Sequence, residues 1–157
     1  MKKRVLFLIF ISIFANAKES IKEPLTIELS SYQKVVKIKD GKKSIKWIKP
    51  TKVVPGTTIQ YVNKITNLSN ETIKSATLRN KIDKNLIFIP KSIKSNLEYK
   101  VKFSVDGKHF APASKLEVVK NGKKHLATPK EYRAIEFNLI NIPPNSKNKI
   151  SYEVKVK

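Results

Sequence analysis

VVPGTTIQYVNKITN, residues 53–67, holds a turn and then a strand. Pro55-Gly56 suits the central pair of a type II turn, where Pro presets the first φ and Gly supplies a positive second one. After it the chain alternates. Ile59, Tyr61 and Ile65 fall on one side, and Gln60, Val62, Lys64 and Thr66 on the other. A period of two with one apolar face is the mark of a strand half-buried in a sheet. Asn63 is the misfit, because it puts an amide on the inward face. It needs a hydrogen-bond partner, or the strand must be bulged or lie at an edge there. Asn67 is expected to lead into the next hairpin.

The rest of the chain repeats this rhythm with little helical periodicity. Candidate strands are 25–30 and 32–39 (two strands, or one bent strand), 44–49, 57–66, 73–82, 86–89, 99–105, 116–119, 133–139 and 149–156. The glycines punctuate them. Asp40-Gly41, Asp106-Gly107 and Asn121-Gly122 are each a tight-hairpin dipeptide. Pro50, Pro55, Pro90, Pro112, Pro129, Pro143 and Pro144 all fall between the runs, where no ladder hydrogen bond is lost. Alternation also names a core. Tyr99, Val101, Phe103 and Val105 face inward with Lys100, Lys102 and Ser104 outward; Ile135, Phe137 and Leu139, and Ile150, Tyr152, Val154 and Val156, continue it. The expectation is an all-β, immunoglobulin-like sandwich of about seven to nine antiparallel strands.

The first residues read differently. Lys2, Lys3 and Arg4, then the apolar run Val5 to Phe14, then Ala15-Asn16-Ala17, have the three parts of a secretory signal. The alternative is an N-terminal anchor, but the apolar run is half the roughly 20 residues that a spanning helix needs. The expected organisation is a cleaved signal peptide at 1–17, an extension with one or two strands at 18–50, and the sandwich at 51–157. The protein is then exported, to the periplasm or the cell surface. The chain has no cysteine, which excludes a lipid-modified Cys, disulfides, thiol redox chemistry and zinc–thiolate sites.

Among 157 residues the formal net charge is +21. Such a charge attracts anionic polymers at low salt. Yet the only arginines are Arg4, Arg79 and Arg133, and the remaining cations are lysines. Arg is the residue that reads phosphates and bases in bidentate fashion. A solvated basic surface that also guards sheet edges is therefore weighed above a dedicated polyanion site.

Residues 55–89, PGTTIQYVNKITNLSNETIKSATLRNKIDKNLIFI, resemble a bacterial extracellular conserved-repeat domain of unknown function. Its pattern is Pro-Gly-Asp-x-Val-x-Tyr-x-Ile-x-Val-x-Asn-x-Gly, then a strand ending Asp-x-Leu-Pro-x-Gly-Leu-x-Tyr-Val. Pro55, Gly56, Ile59, Tyr61, Ile65 and Asn67 match the first half without gaps; Ala76, Leu78, Ile82, Leu86, Phe88 and Ile89 match the second. Ser92, SVDGKHF (104–110) and IEFNLINIPPNSKNKISYEVKV (135–156) resemble its later hairpin and closing strands. The resemblance covers roughly two thirds of the chain, from Thr51 to Lys157. Asn80, Asp83, Asn85 and Ser69 depart from the family's Asp, Pro and two Gly. Asn tolerates positive φ, so Asn85 is expected to hold the same turn. The resemblance implies an immunoglobulin-like sandwich outside the cytoplasm and no catalysis. Such modules serve as spacers, stalks or adhesion elements. No internal repeat is found, so one copy stands alone.

Searching for chemistry yields little. His109 and His125 each follow a turn dipeptide, with no third metal ligand marked by spacing, and read as surface turn residues. No calcium loop, nucleophile elbow, phosphate-binding Gly loop or His-Glu-x-x-His occurs. Trp47 reads as a core or sheet-packing residue ahead of an exposed binding aromatic. Asn67 and Asn70 each begin a glycosylation sequon. No catalytic, cofactor-binding or metal residue is assigned. The expected function is a non-catalytic structural or adhesion module of the bacterial envelope or surface, partnered by another envelope or surface protein. The alternative is a basic module for anionic envelope polymers or nucleic acid, and behind it a periplasmic enzyme.

Overall fold

The computed structural model describes residues 24–157, so the expected signal segment lies outside the described residues. The chain from Pro24 on is all-β, with eleven strands. They are β1 (Leu25–Lys39), β2 (Lys42–Ile48), β3 (Thr58–Asn67), β4 (Ile73–Lys81), β5 (Leu86–Phe88), β6 (Lys94–Ser95), β7 (Glu98–Ser104), β8 (Glu117–Lys120), β9 (Lys123–Leu126), β10 (Ala134–Ile142) and β11 (Ser146–Val156). The expectation of seven to nine strands in a single sandwich is thus corrected. The strands form three separate antiparallel sheets: β2-β1-β3-β11-β5 with β6 also on β11, then β4-β10-β7, then the β8–β9 hairpin. Two strands escaped the sequence reading. β6 is two residues long, and β9 is KKHL, which carries no apolar alternation.

The two larger sheets share one core. The first supplies Ile59, Ile65, Phe88, Ile150, Tyr152 and Val154; the second supplies Leu78, Phe103, Ile135, Phe137, Leu139 and Ile142. Aromatic contacts bridge them: Phe137 and Tyr152 ring centres are 6.0 Å apart, and those of Phe88 and Phe103 5.0 Å. Burying each such side chain contributes about 1.5–3 kcal/mol. Without disulfides, this core and the strand pairing hold the fold. Tyr152, opposite Tyr61 in the β3–β11 ladder, is deep enough that burial, with the Tyr61 charge beside it, pushes its phenol well above the usual range.

Turn chemistry follows the sequence in part. Asp40-Gly41 and Asn121-Gly122 take positive φ at both residues (51° and 72° in each pair), as a two-residue hairpin turn demands. Asp106-Gly107 does not make such a hairpin. Asp106 instead accepts the amides of Lys108 and His109 at 2.8 Å each, and the chain returns to β7 only by the Phe103–Ala111 bridge. This turn also covers Ser104, which stays in register opposite Ala134 on the same face as Lys102. Its hydroxyl donates to Asp106 Oδ1 (2.8 Å) and accepts from Gly107 N (2.9 Å), so Ser104 is buried where alternation put it outside. Asn85 is a second correction, for it is not among the positive-φ residues. Its amide is held by the Asp83 carboxylate at 2.7 Å, so Asp83 carries the turn.

Asn67 does not lead into a hairpin, because β3 and β4 belong to different sheets. The chain crosses between sheets there, and again from β10 to β11. Asn67 ties the two crossings together. Its Nδ2 donates to the carbonyls of Glu71 (2.9 Å), Ile142 (3.2 Å) and Pro143 (2.9 Å), and its Oδ1 accepts from Ser69 N (2.9 Å) and Ser69 Oγ (2.7 Å). Asn141 and Asn145 take positive φ on the opposite side of this corner, and Ile142 turns inward between them.

Sheet coverage is uneven. The second sheet has three strands and leaves the β1–β2 flank of the first without a facing layer. Ile27 and Leu29 of β1 stand opposite Ile65 and Asn63, both of which are fully buried, yet they are 37% and 54% exposed themselves. Beyond Gln33 the β1–β2 pair continues as a ribbon, and every residue from 36 to 46 is exposed.

Candidate functional site

Three places carry polar or titratable groups in a defined arrangement. The first is a groove of about 360 Å³ lined by Lys64, Thr66, Asn96, Lys147, Asn148 and Lys149. It exists because of strand register. Lys64 on β3 stands directly opposite Lys149 on β11, and Thr66 opposite Lys147. Like charges directly opposite one another destabilise a ladder. Among the described residues none of these lysines has a carboxylate within ion-pair distance. Asn96 forms one wall. Its Oδ1 accepts the Lys149 amide (2.8 Å) and its Nδ2 donates to Asn148 Oδ1 (3.1 Å). The groove's surface is mostly carbon, so what it offers an anion is the charge of three lysines, not planar bidentate geometry. The sequence did not single these residues out, since Lys64 and Lys149 meet only through the β3–β11 pairing.

The second place is the pair of histidine turns. His109 is 89% exposed at its side chain, with Nδ1 2.6 Å from Asp106 Oδ2. This imidazole, the amides of His109 and Lys108, and the Ser104 hydroxyl together hold the Asp106 carboxyl well below the usual range. His125 Nε2 lies 3.3 Å from Glu131 Oε1. Glu131 accepts from the Thr128 amide (2.8 Å) and hydroxyl (2.9 Å), and these bonds, with His125 after them, lower its pKa to about 2. Each imidazole thus braces its own turn. No group of three His, Cys, Asp or Glu that could hold a metal occurs among the described residues.

The third place is the buried Asn63. It is completely enclosed, and its Oδ1 accepts from Asn80 Nδ2 at 3.1 Å. β3 is neither bulged nor at an edge there. The partner comes from β4 in the opposite sheet, so the two amides form a polar link through the apolar core. Asn63 Nδ2 and Asn80 Oδ1 have no hydrogen-bond partner. The two asparagines are each other's partner.

Trp47 is not in the core; it lies half-buried on the β2 side of the ribbon, with Lys34 Nζ 5.7 Å from its ring centre. Of the two sequon asparagines, Asn67 is fully buried, whereas Asn70 is exposed and accepts from Asn145 Nδ2 at 3.3 Å. Glu136, an acid on the central strand β10, is 7% exposed and bound by Arg79 at 2.7 Å, with Lys102 at 3.8 Å. Arg79 in turn lies over the Phe110 ring, 4.8 Å from its centre. No helix among the described residues is long and apolar enough to cross a membrane. No family model, curated protein or solved structure matches this chain.

Proposed function

We propose that this chain is an exported all-β module and a divergent single-copy relative of the bacterial extracellular repeat domains that its Pro-Gly segment resembles. It works as a non-catalytic structural or adhesion module of the cell envelope or surface. The observation that carries this reading is the uncovered flank. Ile27 and Leu29 extend the inward face of the first sheet past the end of the second, one strand away from fully buried Ile65. Apolar side chains on that side are suited to a partner that completes the missing layer. Supporting the non-catalytic part, both imidazoles and the shifted carboxylates are engaged in turns.

The test is fractionation of the native organism followed by crosslinking from a photoreactive residue at position 29. The expected product is a discrete adduct with another envelope protein, weakened by Ile27→Lys. A soluble monomer that yields no adduct overturns the reading.

The lysine groove favours a second reading, a module for anionic envelope polymer or nucleic acid. Its signature is affinity that falls steeply as salt rises. Lys64→Gln with Lys149→Gln should then reduce binding far more than two substitutions of lysines outside the groove. Equal losses from both pairs would reduce the effect to overall charge.

A further inference from the structure

The ribbon formed by Gln33–Lys39 and Lys42–Ile48 has two unlike faces. Residues directly opposite in an antiparallel pair share a face, and successive pairs alternate. Lys34 with Trp47, Val36 with Ile45, and Ile38 with Lys43 therefore lie on one face. Val35 with Lys46, Lys37 with Ser44, and Lys39 with Lys42 lie on the other. The first face exposes Val36 (44%), Ile45 (52%) and Ile38 (75%), beside half-buried Trp47. The second is mainly basic toward the tip, with Val35 and exposed Ile48 (40%) at its base. The only acid in the ribbon is Asp40, in its turn. The apolar side is the opposite side from Ile27 and Leu29, so this surface is distinct from the flank described above.

Charge and composition choose the occupant. Protein interfaces are depleted in Lys and enriched in Arg and Tyr at their hot spots. This ribbon carries Lys34, Lys37, Lys39, Lys42, Lys43 and Lys46 and no Arg. An anionic bilayer needs no shaped pocket, and it takes up both the apolar row and a diffuse set of lysines. Trp is at home at the level of the headgroups, and lysine stems reach back to phosphate from either face of a thin ribbon. The open strand edges forbid passage into the hydrocarbon and limit the ribbon to the interface.

We propose that the β1–β2 ribbon is a membrane-surface anchor. Val36, Ile38, Ile45 and Trp47 enter the headgroup region of a bilayer bearing anionic lipid, and the surrounding lysines sit at its phosphates.

Trp47 is the sole tryptophan, so its emission reports this face directly. The full chain is mixed with vesicles of equimolar phosphatidylcholine and phosphatidylglycerol, with and without brominated acyl chains, and with phosphatidylcholine vesicles alone. The expected result is a blue shift of Trp47 and quenching by the brominated chains on the anionic vesicles only. Ile38→Ser with Ile45→Ser should weaken the titration at least about tenfold, since each buried isoleucine side chain is worth that much. Lys39→Gln with Lys42→Gln should weaken it by about fivefold per lysine. The second pair keeps the test independent of how well the first pair folds. Vesicle binding without a Trp47 shift or bromine quenching would assign the contact to another segment and overturn the proposal, as would no binding. A blue shift that rises with protein concentration in the absence of lipid would also overturn it, because a second copy then covers the face.

Discussion

Strand β10 and the β1–β2 ribbon are written in similar letters and end in opposite surroundings. AIEFNLINI and KVVKIK both alternate β-branched or aliphatic residues with polar ones. In β10, Ile135, Phe137 and Leu139 are completely buried; in the ribbon, Val36 and Ile38 are 44% and 75% exposed. The difference is coverage. β10 has β4 and β7 as neighbours and core residues of β3, β5 and β11 packed against its inward side, whereas the ribbon extends past the last strand of the opposing sheet. Local pattern states which side of a strand is apolar. It does not state whether another layer reaches that side.

This contrast is sharpest at Phe137, whose ring meets those of Tyr152 and Tyr99 at about the same distance, 6.0 Å between centres. Phe137→Ala removes the contact between sheets and leaves a cavity between Leu139 and Tyr152. The expected loss is about 3–5 kcal/mol, read from the urea midpoint at unchanged slope. A loss below about 1 kcal/mol would mean that the sheets do not share this core.

Next comes the corner. Asn67→Ala leaves the carbonyls of Glu71, Ile142 and Pro143 without their shared donor, inside a closed turn. A loss of about 3 kcal/mol is expected, together with faster amide exchange at both crossings. Exchange that quickens only near Ser69 would show that Asn67 is a local turn residue and not a clasp.

The Asn63–Asn80 link tests the core from its weak point. Asn63→Leu alone strands the Asn80 amide between the sheets and should cost about 1–3 kcal/mol. Replacing both by Leu removes both unpaired buried amide atoms and is expected to recover that loss or exceed the original stability. If the double variant is as unstable as the single, the amide pair is worth more than apolar packing in its place.

Smaller still is the acid response of the Thr128–Glu131 turn. The folded Glu131 pKa is lowered to about 2, so its contribution is complete above the usual glutamate range and fades as pH falls toward 2. The Thr128 amide and the Glu131 side chain should therefore titrate together in NMR spectra, with a midpoint well below that of an exposed glutamate. Glu131→Gln should abolish the coupled shift.

Much of this architecture was legible. β3, β10 and β11 appear within a few residues of their sequence limits because each has a long apolar alternation and a Pro, Gly or Asn at its ends. The inward positions of Ile59, Ile65, Phe137 and Tyr152 follow from the same period. The assignment of strands to sheets was not legible, since alternation is identical in either sheet and the crossings at Asn67 and Pro143 resemble hairpin turns in sequence. Nor could the partner of Asn63 be read: Asn80 reaches it across the core. The burial of Ser104 was not legible either, because it keeps its outward register opposite Ala134 and is covered by the turn at Asp106. The lysine groove was invisible for a further reason, as Lys64 and Lys149 become neighbours only once β3 and β11 are in register.

The smallest effect separates the two regions most cleanly. Ile38→Ser lies on the ribbon, where the side chain has water around it, so it should change stability by about 0.5 kcal/mol or less. The same change at Ile135, completely buried, should cost several-fold more. The two residues have the same type and the same strand periodicity, so the ratio of their effects measures coverage alone. A large loss at Ile38 would show that the ribbon folds back on the body in solution, and its apolar face would then have an internal use. A negligible loss leaves that face without a role in stability and free for a contact outside the fold.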